Sequence, residues 1–450
     1  MFAIFQRYLY SSVAAYFEQT LNLYIMKRIS IFLLPLLALT ILFSACLRDE
    51  CTTEQTYIRF DPIYLPFSEI RKPVTNEAGR PLKKPGKIFS LGNYMFINEF
   101  QEGIHVIDNS DPANPVQVNF WNIPGNVDLI IRGNYLYADQ YTDLLTIDIS
   151  DFQNPQIVCR AENVFPLFGF DLQRGLIIGY NETQVTEKIN CGDNRWNSGW
   201  FTEGDVVFVQ NGLAGGGIKN NSAGGVQTSL PAGVGIAGSF ARFGIADEYL
   251  YTVDNFMLRS WSLSNPNCPA RTDSTWLGWN AETIFPWKDK LFIGSQTGVF
   301  IFDNSNPSHP TLQAVFNHAT GCDPVVCDDE HAYVTIHSGT TCNGTLNQMD
   351  VIDVKNLPVA TLLKTFPMTS PKGLAITNEH LFLCDDGLKI FDRNDPVNLQ
   401  QVSHLNSFAS YDVIAFSDTH LLLIGDNGFY QFDVTDPSNP VQLSLIPVEN

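Results

Sequence analysis

From about Gly86 onward the chain is written in short apolar runs broken by Gly, Asn and Asp, and the runs fall into sets of four. One set reads "NVDLIIRG", "NYLYADQ", "DLLTIDIS" and "NPQIVCRA"; the last reads "YDVIAFS", "HLLLIGD", "GFYQFDVT" and "NPVQLSLI". β-Branched and aromatic residues dominate each run. No segment of this region sustains a helical apolar period, so the runs predict strands. "QEG", "QTG", "DDG" and "DNG" separate the second and third runs in different sets and read as hairpin turns. Each set therefore predicts a four-stranded antiparallel meander.

A segment dense in Asp, Asn and Pro follows the third run of most sets, as in "IDNSDPANPVQ" from Ile107 and "FDVTDPSNPVQ" from Phe432. Its leading Asp stands at 108, 148, 303, 353, 392 and 433, and Ser262 takes its place in "WSLSNPNCP". Successive spacings are 40, 114, 41, 50, 39 and 41 residues. The long spacing fits two units plus roughly 30 inserted residues. "CGDNRWNSGWFTEG" and "GLAGGGIKNNSAGG" supply them, bracketing a degenerate strand "DVVFVQ" in unit three, with the insertion at about 185–235. Small sheets recurring at this period bury their faces only against their neighbours. The predicted fold is all-β, a β-propeller of about eight four-stranded blades, with seven as the alternative. The Asp-Pro segment is no calcium loop, because Pro112, Pro115, Pro437 and Pro440 hold turn positions and no terminal Glu recurs. Asp and Asn ahead of Pro start turns by bonding nearby backbone N–H groups, so the segment is expected to be structural.

This Asp-Pro pattern resembles the LVIVD repeat family of bacterial, Bacteroidetes-type lipoproteins, over residues 86–450 and most clearly in units one, two, five, seven and eight. The resemblance implies a propeller and supplies no chemistry. The run "YIRFDPIYLPFSEIRKPV" is similar to the leader that precedes such repeats; within the leader segment 57–85, Tyr57 to Leu65 is expected to be able to donate a ring-closing strand.

The N-terminus changes the picture of where the protein works. "MKRISIFLLPLLALTILFSAC" has two basic residues, an apolar run and small residues before a cysteine, which is a secretory signal over 26–45. The ending "FSAC" resembles a lipoprotein cleavage box, although Phe43 stands where Leu is usual, and implies lipidation at Cys46. Residues 1–25 read as a start called too early. In the linker 46–56, Asp49 and Glu50 resemble an acidic surface-export tag, or are plain solvated acids. The expectation is an outer-membrane lipoprotein exposed at the surface, held to the membrane by its N-terminal lipid.

Charge removes one partner class. With 27 basic against 47 acidic residues the net charge is −20, and nucleic-acid binding needs concentrated Lys and Arg. At 44% hydrophobic and 16% charged residues the chain can bury a large core. Phosphate-loop, nucleophile-elbow and zinc-helix motifs are missing, so no cofactor, metal or catalytic residue is assigned. His331, His380 and His420 share one repeat position at the turn into the second strand and are expected to be structural. Aligning the units on the turn after the first strand brings Glu282, Asp323, Lys372 and Asp412 to one register at the channel mouth, with Asp128 and Arg242 one place later. These six are the candidate ligand-binding funnel, against the alternative of a water-filled mouth that needs polar lining anyway. Most of Trp196, Trp200, Trp276, Trp279 and Trp287 are expected in the core, with Trp196 and Trp200 the exceptions. One disulfide, Cys322–Cys342, is predicted from neighbouring strand ends. Cys327 and Cys384 are not expected to pair with each other, and Cys51, Cys159, Cys191 and Cys268 have no assigned partner.

The function that fits is a non-catalytic binding or scaffolding module for a glycan or an envelope protein. The alternative is an extracellular polymer-degrading enzyme that uses channel carboxylates such as Asp323 and Asp412.

Overall fold

The computed structural model describes residues 52–165, 169–191, 200–203, 206–210, 236–237, 241–278, 281–318, 324–337 and 346–449. Cys46, Asp323, Trp196, Trp279 and the predicted pair Cys322–Cys342 lie outside them, as does the signal region. The chain divides into two compact units. The smaller takes 1–57 and 185–198, in which Thr56 Oγ1 and Thr186 Oγ1 are 2.9 Å apart. The larger takes 58–184 and 199–450 and holds the repeats.

Each clear repeat folds as the sequence predicts. Repeat one has strands Pro85–Leu91, Tyr94–Glu99, Gly103–Asp108 and Val116–Asn122, each antiparallel to the next. Seven sheets among the described residues contain such a meander, contributed by repeats one, two, four, five, six, seven and eight. Their first and second strands are almost wholly buried, and each packs against the next sheet. The first strands of consecutive repeats lie side by side in the order one, two, four, five, six, seven, eight, and repeat eight returns to repeat one. Four-stranded sheets packed face to face around a circuit make this a β-propeller.

Repeat three does not add a meander. Phe170–Asp171, Gly175–Asn190, Trp200–Glu203 and Val206–Gln210 join Thr52–Leu65 in one five-stranded sheet, with the leader strand in the middle. The run Tyr57–Leu65 is thus not a ring-closing strand; its edges are taken by strands of the excursion. Closure falls to a later part of the leader. Thr75–Ala78 pairs with Val116–Asn122 on the outer edge of repeat one, and Leu82 forms a parallel bridge with Val448 after the last strand.

The Asp-Pro segment explains its own repetition. The leading carboxylate accepts the backbone N–H two residues on: Asp108 from Ser110 at 2.9 Å, Asp303 from Ser305 at 2.8 Å, and Asp433 from Thr435 at 2.8 Å. The Ser110 hydroxyl adds a second bond, and together they hold the Asp108 carboxyl below the usual carboxylate range. The second Asp repeats the device, as in Asp436 with Ser438 N at 3.0 Å. The loop also fastens neighbouring sheets. Tyr137 Oη of repeat two donates to Pro266 O of repeat four at 2.8 Å, and Tyr251 Oη to Pro307 O at 3.1 Å. Ser403 Oγ reaches Pro437 O at 2.8 Å, and Gln431 Nε2 of repeat eight reaches Pro112 O of repeat one at 3.1 Å. The motif is therefore the turn after the third strand and, at these junctions, the acceptor for the preceding sheet.

His331, His380 and His420 each begin a second strand, opposite the leading Asp353, Asp392 and Asp433, the shared repeat position expected. Glycine after the second turn is required: a Cβ at Gly387 or Gly428 would stand 2.0 Å from a carbonyl oxygen of the fourth strand, and both residues have positive φ.

Candidate functional site

The first strands of the meanders begin at the channel mouth, and of the five expected funnel positions among the described residues two come together while three lie elsewhere. Asp128 and Arg242 meet across the junction of repeats two and four, joined by two residues the sequence reading did not include, Lys87 of repeat one and Asp139 of repeat two. The Lys87 ammonium contacts the Asp128 carboxylate. Asp128 also accepts the N–H of Arg242 at 2.6 Å and of Leu129 at 2.7 Å. Arg242 Nη2 reaches Asp139 Oδ2 at 2.7 Å, while Asp139 Oδ1 takes the N–H groups of Val127 and Asp128 at 2.7 and 2.9 Å. Asn126 completes the chain, donating to Asp139 Oδ1 at 2.9 Å and accepting from Asn98 at 2.7 Å.

This network is enclosed. Asp128 is 0% and Lys87 3% exposed, so the pair does not line an open funnel. Burial pulls the Lys87 ammonium down to about 8 against the opposing pull of Asp128, and burial likewise raises the Asp139 carboxyl against Arg242. Two cations and two carboxylates neutralise one another across three consecutive sheets. The chemistry available to them is structural, because each charge already has its partner within the fold.

The other funnel positions lie apart. Asp412 is also buried, and its carboxylate leaves no room for a side chain at Gly373: a Cβ there would be 2.2 Å from Oδ1. Lys372 is half-buried with its ammonium 4.3 Å from the Tyr411 ring centroid; Tyr411 is exposed. Burial lowers the Lys372 ammonium. Glu282 is half-buried, accepts Gln296 Nε2 at 2.9 Å, and is pushed by burial up to about 7.

That shift gives a pH-dependent expectation. A carboxyl raised from its usual range to about 7 binds more protons folded than unfolded, so its favourable contribution is present at low pH and disappears as pH rises through 7. Glu282→Gln should leave the melting temperature nearly unchanged at pH 5 and raise it at pH 8. Thermal melts of both proteins across that range check it; a variant less stable at pH 8 would show that the ionised carboxylate is favourably held.

Other positions depart from expectation. Trp276 is 60% exposed and stacks on Phe256 at 5.5 Å, whereas Trp287 is half-buried and donates to Asp329 Oδ1 at 2.9 Å. Cys159 and Cys268 form a disulfide with Cα atoms 5.1 Å apart, while Cys327 and Cys384 are free and buried. Lys87 had a signal in the sequence, since the one-place shift that selects Asp128 also selects Lys87 when applied to repeat one. Asp139 had none, for it stands next to last in a second strand, "YLYADQ", that looks like any other. No group of His, Cys, Asp or Glu among the described residues could hold a metal ion.

Three stretches, 87–122, 125–162 and 290–318, match the LVIVD repeat, which makes this a β-propeller carrying LVIVD repeats. A search of curated proteins finds no match. Similar solved structures include Kluyveromyces lactis Hsv2, 10% identical, covering 83% of this chain and 97% of that one with a TM-score of 0.42. BamB from Moraxella catarrhalis is 9% identical, with coverage of 83% and 96% and a TM-score of 0.45. PorZ from Porphyromonas gingivalis is 9% identical, with coverage of 84% of this chain and 40% of that one and a TM-score of 0.43. None of these likenesses bears on ligand or activity.

Proposed function

We propose that this protein is a lipid-anchored propeller of the bacterial outer envelope, with seven blades, that binds or scaffolds a glycan or protein and carries out no catalysis. The observation that carries the non-catalytic reading is the enclosed network at the channel mouth. Asp128 and Asp139 are committed to Lys87, Arg242 and backbone N–H groups, and Asp412 is buried against Gly373, so the described carboxylates there offer no solvent-facing acid and base pair. Export is supported by the signal-like segment before Cys46 and by the Cys159–Cys268 bond, which persists in oxidising compartments. The half-exposed part of the mouth, with Lys372, Tyr411 and Glu282, is the contact surface.

The test uses the full chain produced with its signal. Metabolic labelling with a fatty acid should tag the wild type and leave Cys46→Ser unlabelled. A glycan array and an envelope pull-down should then yield a ligand whose binding falls at least tenfold with Lys372→Ala or Tyr411→Ala. Ligand binding unaffected by both changes would remove the mouth from consideration. Release of reducing ends from a polymer panel, abolished by Glu282→Gln, would establish the enzyme instead.

A further inference from the structure

Repeats two and four meet although the described strands between Ala161 and Ala241 form no meander of their own (Ile236–Ala237 pairs with the first strand of repeat one), and their junction is closed at several depths. At the channel, Arg242 of repeat four binds Asp128 by its N–H and Asp139 by its guanidinium. At the opposite end of the same strands, Arg132 pairs with Glu248. Between them Leu129, Ile131, Phe243 and Ile245 share one apolar cluster, which Phe165 joins by stacking on Phe243 at 5.7 Å. At the perimeter, Cys159 of the fourth strand of repeat two is bonded to Cys268 in the Asp-Pro loop of repeat four, 109 residues away.

Other junctions combine hydrogen bonds to the neighbouring loop and apolar packing with ion pairs, as in Lys87–Asp128 between repeats one and two and Arg393–Asp328 between repeats six and seven. Like the junction of repeats eight and one it joins sheets far apart in sequence, and it combines an ionic clasp inside with a covalent clasp outside. A connection of this length constrains the two sheets less than a short one, by about 0.6 kcal/mol for each doubling of its length. The clasps more than offset that difference.

We propose that the junction of repeats two and four is a self-sufficient seam, clasped by Asp128, Asp139 and Arg242 inside and by Cys159–Cys268 outside, so that the circuit of blades stays closed when the intervening excursion is cut. Ile236–Ala237, which pairs with Phe89 and Ser90 on the first-strand edge of repeat one, stays with the C-terminal piece after such a cut. The seam does not depend on the reading of the mouth as a ligand surface.

The experiment places a site-specific protease sequence within residues 211–235 of the full chain and compares uncut and cut protein by amide hydrogen exchange. With both clasps present, cutting should change exchange in Leu129–Arg132 and Phe243–Ala246 by less than about tenfold. In the cut protein bearing Cys159→Ser, Cys268→Ser and Arg242→Leu, these strands should exchange at least about a hundredfold faster, ahead of Leu374–Ile376. A hundredfold rise on cutting alone would overturn the proposal, as would unchanged exchange in the cut triple variant. Should the triple variant not accumulate, reduction of the cut Arg242→Leu protein with dithiothreitol gives the same comparison without Ser substitutions.

Discussion

Asp128→Ala should be among the most destabilising single changes in the ring, costing about 3–5 kcal/mol at pH 6, because it removes the carboxylate from a buried pair and leaves the ammonium behind. Lys87 is 3% exposed and has Arg242 as a near neighbour that already disfavours its charge. With Asp128 gone the favourable pull on the Lys87 proton goes too, so its folded titration drops below about 8 while the unfolded chain keeps the ordinary lysine value. In that window the unfolded state of the variant binds more protons, and its stability rises with pH more steeply than that of the wild type. The deficit should therefore narrow between pH 6 and pH 8. Urea midpoints at the two pH values check this, and a deficit constant across them would mean that Lys87 is not the group responsible. Adding Lys87→Met should recover much of the loss, since an apolar replacement of both partners leaves no orphaned charge.

The network behind that expectation was partly legible in the sequence, and the part that was not shows what spacing alone lacks. The turn chemistry of Asp108, Asp303 and Asp433 is complete within three residues of chain, so a local pattern suffices to predict it. Strand positions follow from the same short range. Pairing does not. Unit three meets the period of the repeat, yet its strands find partners in Thr52–Leu65, more than a hundred residues upstream, and a count of periods cannot see that. The consequences are specific. A unit three standing as a blade would separate Cys159 from Cys268, and Asp128 from Arg242, by a whole sheet. With its strands paired elsewhere, both pairs come into contact. Register identified Asp128 and Arg242 as inward-facing charges; only the true order of sheets shows that they face each other.

The same order of sheets decides how the circuit is closed at its other junction, between repeats eight and one, where no strand is exchanged between the chain ends. Leu82 is wholly buried in a cluster with Ile88, Met95 and Ile97 of repeat one and with Ile414, Leu422 and Phe429 of repeat eight. Its carbonyl accepts the N–H of Glu449 at 2.8 Å, and Val448 N donates to Asn427 O at 3.0 Å. The leader reaches this point by way of Arg71, which pairs with Asp143 of repeat two, and Thr75–Ala78 on the edge of repeat one. Residues 71–82 thus strap three consecutive sheets from outside, with Leu82 as the buried end of the strap. Leu82→Ala should cost about 2–5 kcal/mol, the lost burial plus the cavity left between two rigid sheets. The damage should be local at first, speeding amide exchange in Ser410–Ser417 and Pro85–Leu91 while Leu129–Arg132 keeps its protection. Val359→Ala, at a side chain 62% exposed, is the control and should fall within about 0.5 kcal/mol of the wild type. If Leu82→Ala behaved like that control, the junction would be held by the sheets alone and the leader would be no part of the closure.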